Sequence, residues 1–333
     1  MTQLVQVGAP LLDTFGRLHS DLRISVTDHC NIRCFYCMPE TGAEYAPLRS
    51  QLSFEQILRF VSAAVPLGLT KIRLTGGEPL LRPRLPSLIE KLSGQEGIRD
   101  LALTTNAVLL AGHAKPLFDA GLRRLNIHLD TLDRERFAQI TRRDELTRVL
   151  AGIDAALDAG YPIIKLNAVA IKGLTESDVV SLVRFGRERN IEVRFIEFMP
   201  LDGRELWSMD RVLTADDMLD MLAKEFGSLF PVSDADPRAP ATEYRFADGS
   251  RVGFIASVSR PFCLNCNRLR LTSDGKLRYC LFAREETDIR HLLDDEIALQ
   301  DAIRSTVWQK WAGHEINRPS FLAPGRAMYS IGG

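Results

Sequence analysis

Between Leu22 and Phe198, short runs rich in Val, Ile and Leu alternate with longer helical patterns, and few folds accommodate that alternation. The strands predicted are 22–26, 71–74, 100–103, 124–129, 163–170 and 192–198, several of them bounded by Gly or Asn. Helical patterns lie between them at 53–65, 85–92, 115–120, 149–159 and 178–188. In the first, Ser53 reads as the N-cap, and Phe54, Ile57, Leu58 and Val61 share one face. Such repetition implies parallel strands joined by right-handed crossovers. Six units make either an open doubly wound sheet or an incomplete (β/α)6 barrel. Polar residues fall at or near strand ends (Thr27, Asp28, Thr75, Thr104 to Asn106, His128, Asp130), as does Met199, and the C-terminal mouth of a barrel would gather them. After a further helix over 214–226 the pattern shifts to short antiparallel strands at 229–232, 243–246 and 252–255. The expectation is an α/β, TIM-like partial barrel over residues 1–226, with a smaller α+β region over 227–333.

The 333 residues include 42 basic and 43 acidic side chains, and 45% are hydrophobic. That is ample for a core and excludes a disordered chain. The charge balance argues against a nucleic-acid or membrane-surface binder, which needs a net basic field. No run approaches the roughly 18 apolar residues of a membrane span, and residues 1–10 lack the features of a signal peptide. A cytoplasmic protein with reduced thiols is expected.

Its 6 cysteines therefore need explaining. Cys30, Cys34 and Cys37 form a C-x3-C-x2-C group directly after the first strand. Cys263, Cys266 and Cys280 form a second group. Three thiolates can hold three corners of a [4Fe–4S] cluster and leave the fourth iron open to a ligand. Zinc and buried free cysteines are the rivals, but structural zinc takes four ligands, and His29 is not a dependable fourth. Thr75-Gly-Gly-Glu-Pro79 follows the second strand; its glycines admit close backbone approach to a ligand, and Glu78 can join a polar network there.

Basic residues recur at strand positions. Arg268 and Arg270 share one face of an extended segment, as do Lys71 and Arg73, while Arg23, Lys165 and Arg194 lie on other strands. Most charges are merely exposed. Those turned into a barrel, however, need a counter-charge, and an anion such as a triphosphate supplies one. The chain has no P-loop motif, so any nucleotide is held differently.

The first cysteine group and the Gly-Gly-Glu motif resemble those of the radical S-adenosylmethionine (SAM) superfamily. Further motifs make the resemblance closer: Lys71-Ile-Arg73, Thr104-Thr-Asn106, Arg194-Phe-Ile-Glu-Phe-Met199, Phe262-Cys-Leu-Asn-Cys-Asn-Arg-Leu-Arg270 and the terminal Ser330-Ile-Gly-Gly333. Over essentially its whole length the chain is similar to the GTP 3′,8-cyclase family, the MoaA-type enzymes of molybdenum cofactor biosynthesis. The resemblance implies that a [4Fe–4S] cluster on Cys30, Cys34 and Cys37 cleaves SAM to a 5′-deoxyadenosyl radical. It implies that a second [4Fe–4S] cluster, on Cys263, Cys266 and Cys280, binds the guanine of GTP. The radical takes hydrogen from C3′ of GTP, and the C3′ radical attacks C8 to give 3′,8-cyclo-7,8-dihydro-GTP. Tyr36, Gly77, His128 and Met199 match SAM positions. Arg23, Lys71, Arg73, Thr104, Lys165, Arg194, Arg268, Leu269 and Arg270 match GTP positions or their neighbours. Arg268, Arg270, Gly332 and Gly333 are the catalytic candidates, with the Gly-Gly tail reaching into the active site. An external electron donor, a homodimer and a MoaC-type cyclic pyranopterin monophosphate synthase as recipient of the product are also implied.

Two departures stand out. His128 replaces a serine at a SAM contact. Ala107 replaces a glycine, and would be strained if the turn there needs φ > 0. The rival readings are a peptide-modifying radical SAM enzyme with an auxiliary cluster, an iron–sulfur electron carrier and a zinc-stapled binding module.

Overall fold

The computed structural model describes residues 10–332 apart from 40, 202–205, 235, 319 and 320. Strands β1 (Asp21–Ser25), β2 (Lys71–Thr75), β3 (Asp100–Thr105), β4 (Arg124–His128), β5 (Ile163–Ala170) and β6 (Glu192–Glu197) pair in parallel in chain order. Helices α1 (Phe54–Ala64), α2 (Leu85–Ser93), α3 (Ala114–Asp119), α4 (Arg134–Thr141), α5 (Leu146–Asp158) and α6 (Asp178–Glu188) connect them. The predicted helix over 53–65 forms because Ser53 and Gln56 close a capping box, and it buries Ile57, Phe60 and Val61. Helix α7 (Ala215–Phe226) starts on the reciprocal pair Thr214 and Asp217. Helix α4 was not among the predicted elements, since its eight residues bury only Phe137, Ile140 and Thr141.

The residues after α7 do not stand apart from the sheet. Strands β7 (Phe230–Pro231), β8 (Thr242–Arg245) and β9 (Arg251–Ile255) form an antiparallel run, and β9 then pairs in parallel with β6. At the opposite edge β10 (Arg268–Leu271) pairs in parallel with β1 and leads into the antiparallel β11 (Lys276–Arg278) and β12 (Thr287–Asp288). The six-stranded core thus becomes a run of eight parallel strands, from β10 through β1–β6 to β9. Both added edges line the same central cavity as the core strands, so the sheet curls round it. Helix α8 (Glu296–Trp308) packs beside α1, and a single turn, α9 (Met328–Ile331), precedes Gly332.

Alternation along the strands divides the structure into two compartments. Leu22, Ile24, Ile72 and Leu74 point outward and are fully buried under the helices. Arg23, Arg73 and Thr75 point into the cavity. No helix among the described residues is long and apolar enough to cross a membrane.

Candidate active site

The mouth of the barrel is built by one loop resting on another. Gly77 N–H donates to the Thr27 carbonyl (2.8 Å) and Glu78 N–H to the His29 carbonyl (2.7 Å). A Cβ on Gly77 would stand 2.4 Å from the His29 oxygen, and one on Gly76 2.3 Å from that of Thr27. The close approach these glycines allow is therefore first of all to the 27–29 backbone, with Gly77 also lining the cavity. Glu78 is fully buried and accepts from Thr105 Oγ1 (2.7 Å), Leu80 N–H (3.0 Å) and Asn106 N–H (2.7 Å). Burial raises its pKa to about 7 against the pull of these donors. The loop that Glu78 holds contains Ala107, which does take φ +61°. The strain foreseen for alanine is carried rather than avoided, at a cost of about 1–2 kcal/mol. Gly152 of α5 makes room for the bend, because a Cβ there would meet the Ala107 oxygen at 2.4 Å.

Cys30, Cys34 and Cys37 all line the cavity beneath this mouth. Asn106 Nδ2 approaches Cys30 Sγ at 3.7 Å, and Arg33 donates to the Cys30 carbonyl at 2.6 Å. Burial, helped by Glu78, pushes the Cys30 thiol up to about 12. Between Cys34 and Cys37, Tyr36 donates to Asp130 Oδ2 (2.5 Å), and its oxygen lies 2.7 Å from His128 Nε2. Asp130 also lies 3.2 Å from His128 and accepts from Val169 N–H (2.7 Å). Burial alone would lower the His128 pKa, but Asp130 holds it well above the usual range. His128 is thus tied to Tyr36 and Asp130, and Met199 lines the same cavity.

Cys263 and Cys266 bracket a single 3-10 turn after β9, and Cys280 follows β11. Cations hold this second group. Arg17, paired with Asp13, donates to the Cys263 carbonyl (2.8 Å) and to those of Trp311 and Ala312. Lys310 is almost fully buried and donates to the carbonyls of Arg268 (2.8 Å) and Tyr279 (2.6 Å), joining the segments that carry Cys266 and Cys280. Arg268 reaches Cys266 Sγ at 3.2 and 3.4 Å. Burial pushes the Cys266 thiol up, yet Arg268 and Lys310 outweigh it and the pKa falls to about 6. Glu197, at the end of β6, accepts from Ala215, Val258 and Ser259 N–H at 2.7–3.0 Å, which fixes the chain leading to Cys263.

The strand cations divide into two sets. Lys165 bonds Glu192 (2.6 Å), Arg194 bonds Glu192 and Glu243 (both 2.5 Å), and Lys71 bonds Asp236 (3.1 Å). Arg270, Arg23 and Arg73 are register partners on the adjacent strands β10, β1 and β2, with Arg268 two residues below Arg270. Among the described residues, none of these four makes a salt bridge within 4.0 Å to a carboxylate, and the Nε atoms of Arg23 and Arg73 have no hydrogen-bond partner. Burial, and then the charges of Arg270 and Arg73, hold the Arg23 pKa well below the usual range. Such a row calls for an anion. Thr104 Oγ1, Asn126 Nδ2 and Asn167 Oδ1 also face the cavity without partners. The two asparagines escape sequence reasoning, since Asn within a strand carries no motif.

One predicted residue is placed differently. Leu269 shares its strand with Arg268 and Arg270 but points the other way and is fully buried in the outer core, so only its main chain can serve a ligand. Gly332 meets the arginine row, its carbonyl accepting from Arg270 Nη1 at 2.5 Å. Gly333 lies outside the described residues.

All six cysteines are free and share one cavity, which with its open mouth holds about 1870 Å³. No three Cys, His, Asp or Glu side chains among the described residues converge tightly enough to hold a single ion. Three free thiols in each group, lining the cavity, are the donor set that an iron–sulfur cluster with one open iron takes.

Residues 24–186 match the Radical SAM superfamily, and residues 191–316 match the Molybdenum Cofactor Synthesis C family. A GTP 3′,8-cyclase of Rhodopirellula baltica is 49% identical over 97% of this chain and 92% of its own length. GTP 3′,8-cyclase 2 of Mycobacterium tuberculosis is 46% identical over 99% and 94%. Among solved structures, anSMEcpe with bound AdoMet aligns over 89% of this chain and 82% of its own at 16% identity and a TM-score of 0.59, a likeness of fold. The expected partial barrel, its two cysteine groups within one cavity and these matches agree: the chain belongs to the GTP 3′,8-cyclase family of radical SAM enzymes.

Proposed function

We propose that this chain is a GTP 3′,8-cyclase, converting GTP to 3′,8-cyclo-7,8-dihydro-GTP in the first step of molybdenum cofactor biosynthesis. The observation that carries this reading is the row Arg270–Arg23–Arg73, Arg270 buried and the other two half-buried in the cavity wall, without carboxylate partners among the described residues and sharing that cavity with the second cysteine group. A triphosphate satisfies three or four guanidiniums at once, and guanine then extends toward Cys263, Cys266 and Cys280. Cys30, Cys34 and Cys37 hold the cluster that, with SAM bound, supplies the 5′-deoxyadenosyl radical. Tyr36, Gly77, His128 and Met199 line the SAM end, while Thr104, Asn126 and Asn167 offer polar contacts between the two ends. Lys71, Lys165 and Arg194 are second-rank GTP contacts, because each already has a carboxylate. Residues 1–226 supply the SAM site, and residues 227–333 supply the second cluster and the tail. A homodimer in the cytoplasm, an external electron donor and hand-over to a MoaC-type synthase complete the reading.

The test is anaerobic. The reconstituted, reduced protein is incubated with SAM and each nucleoside triphosphate in turn, and the products are read by mass spectrometry. Deoxyadenosine formed with GTP, beside a new nucleotide of the same mass, is expected. Deoxyadenosine formed equally with every nucleotide would reject GTP as the substrate. The SAM end has its own check, Gly77→Ala. Its Cβ would stand 2.4 Å from the His29 oxygen, so the 27–29 backbone must shift, and misplacement of about 1 Å costs about a hundredfold. Deoxyadenosine release should fall by that factor; an unaffected rate would mean the two loops do not set the SAM position.

A further inference from the structure

The helical turn α9 is four residues long, and no helix of that length is stable by itself. Something else must seat it, and the contacts are specific. At its base, Arg326 meets Asp274 with two bonds, Nη1–Oδ1 at 3.0 Å and Nη2–Oδ2 at 2.5 Å, while its Nε lies 3.4 Å from Glu286. Asp274 occupies the turn between β10 and β11 and is itself held by Thr272 Oγ1 at 2.6 Å. Midway, Tyr329 donates to the Glu44 carbonyl (3.1 Å), and its ring lies edge-on to Tyr45 at 5.9 Å. Tyr45 in turn stacks on His29, the residue before Cys30, at 4.3 Å. At the tip, Gly332 takes φ +87° and packs so closely that a Cβ would stand 2.9 Å from Thr75 Cγ2 and 3.1 Å from Ser25 Cβ. Its carbonyl then meets Arg270.

The tail is therefore tied twice to one hairpin, at the turn through Asp274 and on the strand through Arg270. Between those ties it leans on the loop that follows the first cysteine group. We propose that Arg326 and Tyr329 are positioning residues: their contacts to Asp274 and to the Glu44–Tyr45 segment set the Gly332 carbonyl on Arg270 and align the first cysteine loop with the arginine row. This rests on the reading of Arg270 as a substrate contact. A bidentate guanidinium–carboxylate pair, only partly exposed, has the strength and the geometry for the task.

The test uses the full-length, cluster-loaded protein and two readouts. Amide hydrogen exchange over residues 327–332 measures seating without any turnover. Arg326→Ala is expected to speed that exchange about tenfold or more, and to lower kcat for GTP about tenfold while KM for GTP stays within about twofold. Arg326→Lys keeps the charge but loses the fork, so it should recover part of both effects. Tyr329→Phe should resemble the parent more closely than Tyr329→Ala. These positions lie in the tail rather than the barrel core, so iron content should be unchanged. Exchange in Arg326→Ala as slow as in the parent would overturn the proposal, as would fast exchange with undiminished kcat. If the parent protein itself cyclised no GTP, the substrate reading would fail, while the exchange arm would still decide whether the latch exists.

Discussion

Arg23→Met should make the ligand-free protein more stable and a far poorer catalyst. Arg23 stands between Arg270 and Arg73 on neighbouring strands, whose spacing is about 4.8 Å. At an effective dielectric near 20, two unit charges that close repel by on the order of 3 kcal/mol. Among the described residues no carboxylate within salt-bridge distance offsets this, and the Arg23 Nε has no hydrogen-bond partner. Methionine fills similar volume without charge or unmet donors, so the melting temperature should rise by a few degrees, about 2 °C per kcal/mol for a chain of this size. Catalysis should move the other way. Losing one charge-assisted fork to a phosphate removes about 3–4 kcal/mol, or a hundredfold to a thousandfold in kcat/KM for GTP. GTP should also raise the melting temperature of the parent protein more than that of the variant. Stability and activity falling together would mean that Arg23 has a protein partner and that the row is not an anion site.

That prediction was open to sequence reasoning only in part. The six core strands announce themselves as apolar runs, and the alternation in Asp21-Leu-Arg-Ile-Ser25 already turns Arg23 to the face opposite Leu22 and Ile24. Lys165 and Arg194 alternate in the same way, yet they belong to the neutralised set. What separates them is Glu243 on β8, 49 residues beyond Arg194, together with Glu192 at the start of β6. Glu192 and Arg194 stand at i, i+2 on one strand, a local pairing, but the Glu243 partner of Arg194 and the Glu192 partner of Lys165 lie 49 and 27 residues away and leave no local mark. The same holds for β9 and β10, which join the parallel sheet at opposite edges although each is flanked by antiparallel neighbours. Local signals did fix Ser53 as a cap and α6 over Asp178–Glu188. Ala107 is flagged by the resemblance alone, as standing where the family has glycine, and its φ of +61° fits that expectation. Lys310 and Arg17 gave no such signal. Each is a single cation whose importance lies in carbonyls contributed by distant segments.

The two cysteine groups should fail in different ways when broken. Cys34→Ala removes a ligand beside Tyr36 and His128, so deoxyadenosine formation should fall below detection with or without GTP. Cys280→Ala leaves Cys30, Cys34 and Cys37 in place, since Cys280 follows β11, two strands away from β1 in the sheet and on a separate segment from the 30–37 loop. Iron should drop from about 8 to about 4 atoms per chain, as expected for the loss of one [4Fe–4S] group. Deoxyadenosine should still form at a measurable rate in the reduced protein, while the cyclised nucleotide disappears. Arg23, Arg73 and Arg270 remain in that variant, so GTP should still bind through its phosphates, more weakly because the guanine end is no longer held. The discriminating result is the ratio of deoxyadenosine to cyclised nucleotide: near one in the parent protein, and rising without limit in Cys280→Ala. Undiminished cyclisation by Cys280→Ala would show that the second group does not orient the substrate, leaving the arginine row alone to do so. Loss of deoxyadenosine in Cys280→Ala would show instead that the two groups are coupled before substrate arrives, which the Tyr329–Tyr45–His29 contacts make physically accessible.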